Sequence, residues 1–160
     1  MLATKNDLSE DVRIKSIELL NARLADVIDL ATQIKQAHWN VKGPNFIALH
    51  ELFDKINEDV EDYVDEIAER AVQLGGVAEG TARIAAKRSS LGEYPRNAVD
   101  GRSHVDALSS VLATFGKSAR LAINTANDFG DLDTADLFTE ISRGIDKWLW
   151  FVEAHQQAER

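Results

Sequence analysis

The chain contains no cysteine, only two prolines and no long uninterrupted apolar run. Without cysteine it can form neither disulfides nor thiolate metal sites, so any metal must be held by oxygen and imidazole, which suit iron, manganese or zinc. No stretch approaches the roughly 20 apolar residues of a membrane span. The first residues lack the basic and apolar regions of a signal peptide, so we expect a cytoplasmic protein.

Acidic side chains outnumber basic ones by 27 to 18, which gives a net charge of −9 over 160 residues. Such a chain repels nucleic acid on average and attracts cations. Neither terminus carries a basic arm, and only residues 81–102 are mildly basic. Strong DNA binding is therefore not expected, and the patch around Arg83–Arg88 is the one segment that leaves the question open.

Four long patterns of helical hydrophobic periodicity predict an all-α protein. Short links join helices one to two and three to four, which predicts two antiparallel hairpins, with Ser103 as the N-cap of the third helix. Residues 75–102 are too many for a plain loop and predict a crossover with a short helix near 81–88. The prediction is a ferritin-like four-helix bundle with one long crossover, a single domain over 1–160 with residues 1–10 as a short tail. The helical patterns run over about 11–40, 45–74, 103–127 and from 131 or 133 through 152.

The second predicted helix carries two pairs of metal-binding side chains, His50 with Asp54 and Asp65 with Glu69. Each pair is spaced by four residues, so its members share one helix face. The two pairs are separated by about 16 Å along a straight helix. Because metal–ligand bonds are only about 2.0–2.3 Å long, one ion cannot touch both pairs of the same chain.

A second copy of the chain would resolve this separation. When two identical helices pack antiparallel about a two-fold axis, the numbers of facing residues have a constant sum. His50 with Glu69 and Asp54 with Asp65 share the sum 119, so one axis brings both pairs together twice. The alternative is that the carboxylates of this acid-rich helix are ordinary solvated charges.

His38 lies at the end of the first predicted helix, just before the turn that leads back toward His50, and can reach the same site. The Glu-x-x-His signature of di-iron centres inside one bundle is absent, because no histidine has a glutamate three residues earlier. This absence favours a site between subunits.

Two segments now point to a family. Residues 35–76, KQAHWNVKGPNFIALHELFDKINEDVEDYVDEIAERAVQLGG, and residues 146–155, DKWLWFVEAH, closely resemble the Dps family of mini-ferritins. The likeness covers essentially the whole chain, and its core is His-Trp-Asn-x-x-Gly-Pro, then His-x-x-x-Asp, then Asp-x-x-x-Glu. It implies a homo-oligomeric shell of twelve subunits built from two-fold dimers. Such a shell oxidises Fe(II) to Fe(III), preferentially with hydrogen peroxide, and stores the mineral, which protects against oxidative stress. The alternative is a nucleoid-associated protein that protects DNA by binding it and has little ferroxidase role.

The resemblance also implies roles for individual residues. It assigns His38, His50 and Asp54 of one chain, with Asp65 and Glu69 of its two-fold mate, as ligands of the iron that is oxidised, and zinc is a substitute for iron there. The resemblance also places Trp39 beside the metal centre, where it is either a radical quencher or simply a packed aromatic residue. It further implies an acidic pore through which iron enters, formed by Asp128, Asp131, Asp133 and Asp136. Helix capping is an equally good explanation for one of these aspartates.

Overall fold

The computed structural model describes residues 1–158, and within them the regular structure is helical apart from one isolated bridge between Lys42 and Asp100. Four long helices and one short helix follow one another, which confirms the predicted bundle with its crossover helix. None of the helices in the described part is long and apolar enough to cross a membrane. The five helices are α1 (Glu10–Asn40), α2 (Phe46–Gln73), α3 (Ala82–Arg88), α4 (Gly101–Phe129) and α5 (Leu132–Glu153).

The helix ends follow local capping chemistry. Ser9 accepts a hydrogen bond from the Val12 backbone at the start of α1, and Gly130 ends α4 with φ of 86°, a left-handed conformation that favours glycine. The predicted N-cap at Ser103 is wrong, because α4 begins two residues earlier. Asp100 caps it instead: its carboxylate accepts bonds from the Ser103 backbone N–H at 3.1 Å and from the Ser103 hydroxyl at 2.7 Å.

The hydrophobic core runs along the middle of the bundle, where α1 packs on α2 and on α4, and α4 packs on α5. Apolar residues recur every three or four positions on each helix, so each helix presents one apolar face to the others. The largest fully buried side chains include Phe53 from α2, Phe115 from α4 and Phe138 from α5. This packing holds the end of α1 against the beginning of α2, where the candidate site lies.

The crossover between α2 and α4 is held against α1 by two aspartates, the buried Asp26 and the half-buried Asp29. Asp26 is fully buried and accepts hydrogen bonds from the backbone N–H of Ser90 at 2.7 Å and from its hydroxyl at 3.0 Å. Asp29, one turn later, accepts a bond of 2.6 Å from the Ser89 hydroxyl. These bonds satisfy polar groups that would otherwise be costly to bury, and they fix α3 beside α1.

Candidate metal centre

His38 and His50 are brought together by the α1–α2 hairpin. Their rings stack with centroids 3.8 Å apart. The Nδ1 atom of His38 lies 2.8 Å from the His50 carbonyl oxygen, and the Nδ1 atom of His50 lies 2.9 Å from the His38 carbonyl oxygen. A carbonyl can only accept, so both Nδ1 atoms carry the proton and donate it. In the neutral form of each ring the lone pair is then on Nε2, and this is the form that binds a metal ion.

Asp54, the third ligand that the sequence predicts for this chain, lies one helical turn after His50. Its Oδ1 atom is 3.8 Å from His38 Nδ1 and only 2.7 Å from Lys35 Nζ. The hydrogen bond from Lys35 keeps the pKa of Asp54 below its usual value, against a smaller opposing effect of desolvation. The carboxylate is therefore ionised near neutral pH and is shared between a lysine and any cation that arrives.

Asp65 and Glu69 lie on the same helix but are exposed and remote from the histidines. Within residues 1–158, no three histidine or carboxylate side chains are close enough together to enclose a metal ion. A single chain thus presents two incomplete sets of donors on α2. The two-fold arrangement and the ligand assignment both stay predictions.

Trp39 follows His38 in the last turn of α1, and its side chain is 66% exposed. It is therefore not packed in the chain's own core. It lies in a groove of about 760 Å³ between α1, α2 and the crossover, together with Lys35, Asn57 and Glu61. The indole thus lies near the half-site, by which we mean His38, His50 and Asp54 of one chain. A role of Trp39 in quenching radicals is a hypothesis.

The four aspartates of the predicted pore differ in their surroundings. Asp131 is 1% exposed and caps α5 through the backbone N–H and the hydroxyl of Thr134. Its Oδ1 atom also accepts a hydrogen bond of 2.8 Å from Arg70 Nη2. Burial raises its pKa, but the bonds from Thr134 and the charge of Arg70 outweigh burial and leave the pKa below its usual value. The carboxylate of Asp131 thus serves the fold, while three aspartates stay exposed as pore candidates: Asp128, Asp133 and Asp136.

Two structurally important residues were not found from the sequence. Arg70 lies near the end of α2, and its side chain is only 12% exposed, since it turns toward the start of α5. His104 is fully buried, and its Nδ1 lies 2.5 Å from the Tyr94 hydroxyl. Arg70 and Asp131 are 61 residues apart in the chain, and the Tyr94–His104 contact joins the crossover to α4, so no helical spacing could have indicated either contact.

The fold and the paired histidines define a ferritin-like protein, and comparisons with known proteins agree. The family model of the ferritin-like domain matches residues 17–160. The "DNA protection during starvation protein" of Agrobacterium fabrum is 46% identical over 154 residues, 96% of this chain and 95% of the relative.

Solved structures extend the likeness to the whole fold. The Dps of Mycobacterium smegmatis superposes with a TM-score of 0.93 at 33% identity, covering 98% of this chain and 95% of that one. The Dps of Microbacterium arborescens, solved "in the high iron form", gives 0.88 at 31% identity over 99% and 100% of the two chains. The chain belongs to the Dps family of ferritin-like proteins.

Proposed function

We propose that the protein is an iron-storing mini-ferritin that oxidises Fe(II) at sites between two subunits. The observation that carries the proposal is the pair of stacked histidines, whose Nδ1 protons are both held by backbone carbonyls next to an ionised carboxylate. This arrangement prepares two imidazole nitrogens for a divalent cation. That a Dps relative was solved in a high iron form supports iron as the cation.

The donor set suits the oxidation of its substrate. Carboxylates stabilise Fe(III) strongly, whereas one or two imidazoles let Fe(II) bind weakly enough to exchange. With hydrogen peroxide as the preferred oxidant, two Fe(II) ions give one electron each, and the peroxide takes up two protons and leaves as two waters. Supplying both electrons together avoids the release of hydroxyl radical. Zinc would occupy the same ligands without redox chemistry and so act as an inhibitor.

Storage requires a closed assembly, which the family resemblance predicts as twelve subunits built from two-fold dimers. Each dimer would complete two sites, with His38, His50 and Asp54 from one chain and Asp65 and Glu69 from the other. Iron would enter past the exposed aspartates at positions 128, 133 and 136, since clustered carboxylates raise the local concentration of cations.

Stopped-flow oxidation of Fe(II) with hydrogen peroxide tests the chemistry. The double variant His50→Ala/Asp54→Ala is expected to lose rapid oxidation. His155→Ala, which removes an exposed histidine at the other end of the chain, is the matched control and should leave the rate unchanged. Equal rates for the double variant and the wild type would overturn the assignment.

Mixed assemblies test whether the site is shared between subunits. When His50→Ala and Glu69→Ala chains are co-expressed in equal amounts, half of the dimers formed at random are mixed. In a mixed dimer one site carries both defects and the other carries none. About a quarter of all sites should then be intact. Rapid oxidation near that fraction is expected, and no recovery over the single variants would rule out the shared site.

The second candidate function is the protection of DNA by direct binding, which the name of the Agrobacterium relative suggests. Phosphate contacts require clustered, available basic groups. Here Arg88 is already paired with Glu18 and Glu79, and residues 1–9 are drawn back to the bundle by the bond from the Leu2 backbone N–H to the Gly75 carbonyl. We therefore expect no shift of plasmid DNA in a gel at physiological salt. A shift that persists at that salt would favour this function.

A further inference from the structure

Tyr94 and His104 form a hydrogen-bonded pair that the proposed iron site does not use. The Tyr94 hydroxyl lies 2.5 Å from His104 Nδ1, and the two rings are inclined by only 21° with their centroids 5.9 Å apart. His104 is fully buried in α4, whereas Tyr94 belongs to the crossover and is half-buried. A phenol held against an imidazole can pass its proton directly to the ring.

The surroundings of His104 favour a bond in which Tyr94 donates and the imidazole accepts. The Nε2 atom is buried and makes no hydrogen bond of good geometry within residues 1–158. The backbone of Asn40 nevertheless raises the pKa of His104, which only a carbonyl acceptor can do. Because Tyr94 occupies Nδ1, this carbonyl acts on Nε2, which favours the proton on Nε2 and the lone pair on Nδ1.

Both members of the pair are neutral in the resting protein. Burial raises the pKa of the Tyr94 hydroxyl, so the side chain stays a phenol at neutral pH. Burial is also the largest effect on His104 and lowers its pKa, and the charge of Lys42 adds to this against smaller opposing effects of Asn40 and Asp100. The imidazole therefore has a free lone pair, and once protonated it returns the proton readily.

Tyr94 shares a groove with Trp39. Both line the groove of about 760 Å³ between α1, α2 and the crossover, and they are its two aromatic residues. Trp39 directly follows the candidate ligand His38, and its side chain is 66% exposed. The indole is thus open to oxidants formed at the half-site, and Tyr94 is the next oxidisable side chain along the groove.

We propose that Tyr94 is a redox-active tyrosine that repairs oxidised Trp39, with His104 as the acceptor of its proton. The radical cation of Trp39 takes one electron from Tyr94, while the phenolic O–H bond breaks and an N–H bond forms at His104 Nδ1. The products are an intact indole, a neutral tyrosyl radical and a protonated imidazole. A further Fe(II) ion then gives the electron back and becomes Fe(III), and His104 returns the proton.

This inference rests on the proposed function for its oxidant. When a site holds one Fe(II) ion instead of two, hydrogen peroxide takes a single electron and leaves Fe(III), hydroxide and a hydroxyl radical. The hydroxyl radical takes an electron from Trp39 and becomes hydroxide. The Tyr94–His104 pair thus moves the radical away from the metal ligands, and no side chain is consumed.

Pulse radiolysis of the iron-free protein tests the transfer from tryptophan to tyrosine. Azide radicals oxidise the indole, and the absorption of the tryptophan radical should decay while that of the tyrosyl radical grows. Tyr94→Phe should abolish this growth, and Trp39→Phe should reduce it. The chain has only one other tyrosine, so Tyr63→Phe is the matched control and should keep the transfer. An undiminished tyrosyl signal in Tyr94→Phe, or its loss in Tyr63→Phe, would overturn the inference.

The role of His104 has its own measurement. In His104→Asn the new side chain can accept a hydrogen bond from Tyr94 but takes up no proton at neutral pH. Since a positioned base accelerates proton transfer by about 100-fold or more, the tyrosyl radical should form more slowly by at least that factor. The wild-type transfer should also be slower in D₂O, a measurement that needs no substitution. A rate unchanged by His104→Asn, or unchanged in D₂O, would contradict the assignment.

The two proposals can fail separately, because pulse radiolysis uses no iron. If the transfer does not occur but rapid Fe(II) oxidation requires His50 and Asp54, the redox-active tyrosine is wrong and the iron site stands. If the transfer occurs and oxidation of Fe(II) proceeds without these two ligands, the Tyr94–His104 pair stands and the ferroxidase assignment is wrong.

Discussion

Replacing Asp131 by asparagine should destabilise the fold, although this residue resembles part of an iron pore. The substitution keeps the shape of the side chain and an oxygen for capping α5, and it removes only the charge. Arg70 then loses the carboxylate 2.8 Å from its guanidinium while its own side chain remains 12% exposed. The variant therefore leaves a largely buried cation without its main partner.

The size of the effect follows from this burial. Breaking one partner of a buried ion pair costs about 3–5 kcal/mol. Asp133 lies 3.8 Å from Arg70 and offers partial compensation, which places the expected loss near the lower limit, about 3 kcal/mol. For a chain of this length the melting temperature should fall by about 6–12 °C. Thermal unfolding at neutral pH, followed by calorimetry or circular dichroism, measures this fall.

Asp133→Asn is the matched control, because its side chain is 86% exposed and contacts the same arginine. An exposed pair of this kind is worth at most about 1 kcal/mol. The pH dependence provides a further check. The pKa of Asp131 is lowered in the folded state, so its stabilising effect is present above the usual aspartate pKa of about 3.9 and is lost as the pH falls through the lower folded value. A control variant as unstable as Asp131→Asn, or a difference that grows in acid, would refute the reasoning.

Three further predictions concern the site and its supports. Lys35→Met frees Asp54 from its lysine partner, so the half-site should bind Zn(II) more tightly by up to about fivefold in calorimetric titration, and unchanged or weaker binding would contradict this. Burial lowers the pKa of His104, so the wild type should lose stability below pH about 6.5 while His104→Asn should lose less over the same range in pH-dependent melting curves. Gly144→Ala would place a methyl group against the Tyr63 ring and hydroxyl, which should cost about 1–3 kcal/mol in denaturant unfolding, and a neutral result would show that the tyrosine moves aside freely.

The helices and their order could be predicted from the sequence because the signals are local. Hydrophobic residues at three- and four-residue spacing and the length of the crossover predicted all five helices, with ends displaced by at most two residues. The displaced start of α4 shows where local signals compete. Both Asp100 and Ser103 can cap a helix, and the longer reach of the aspartate to two donors decides between them.

The candidate ligands could also be predicted, because their spacing on one helix is a property of the sequence. The tertiary structure decided which hydrogen bonds these side chains make. Only the close packing of the α1–α2 hairpin brings His38 and His50 within reach of one another's carbonyl groups, and only the same packing brings Lys35 to Asp54. No periodicity encodes which nitrogen of a histidine carries the proton.

Asp131, in the acidic segment at the start of α5, shows the same division between what the sequence determines and what the tertiary structure decides. The sequence by itself determined that four carboxylates surround the start of α5, since their identity and spacing are written in the chain. Only the tertiary structure decided that Asp131 is turned inward, because Arg70 reaches it from a helix 61 residues away in sequence. Composition and periodicity thus determine which groups are available, and long-range packing determines which of them are used up in holding the fold.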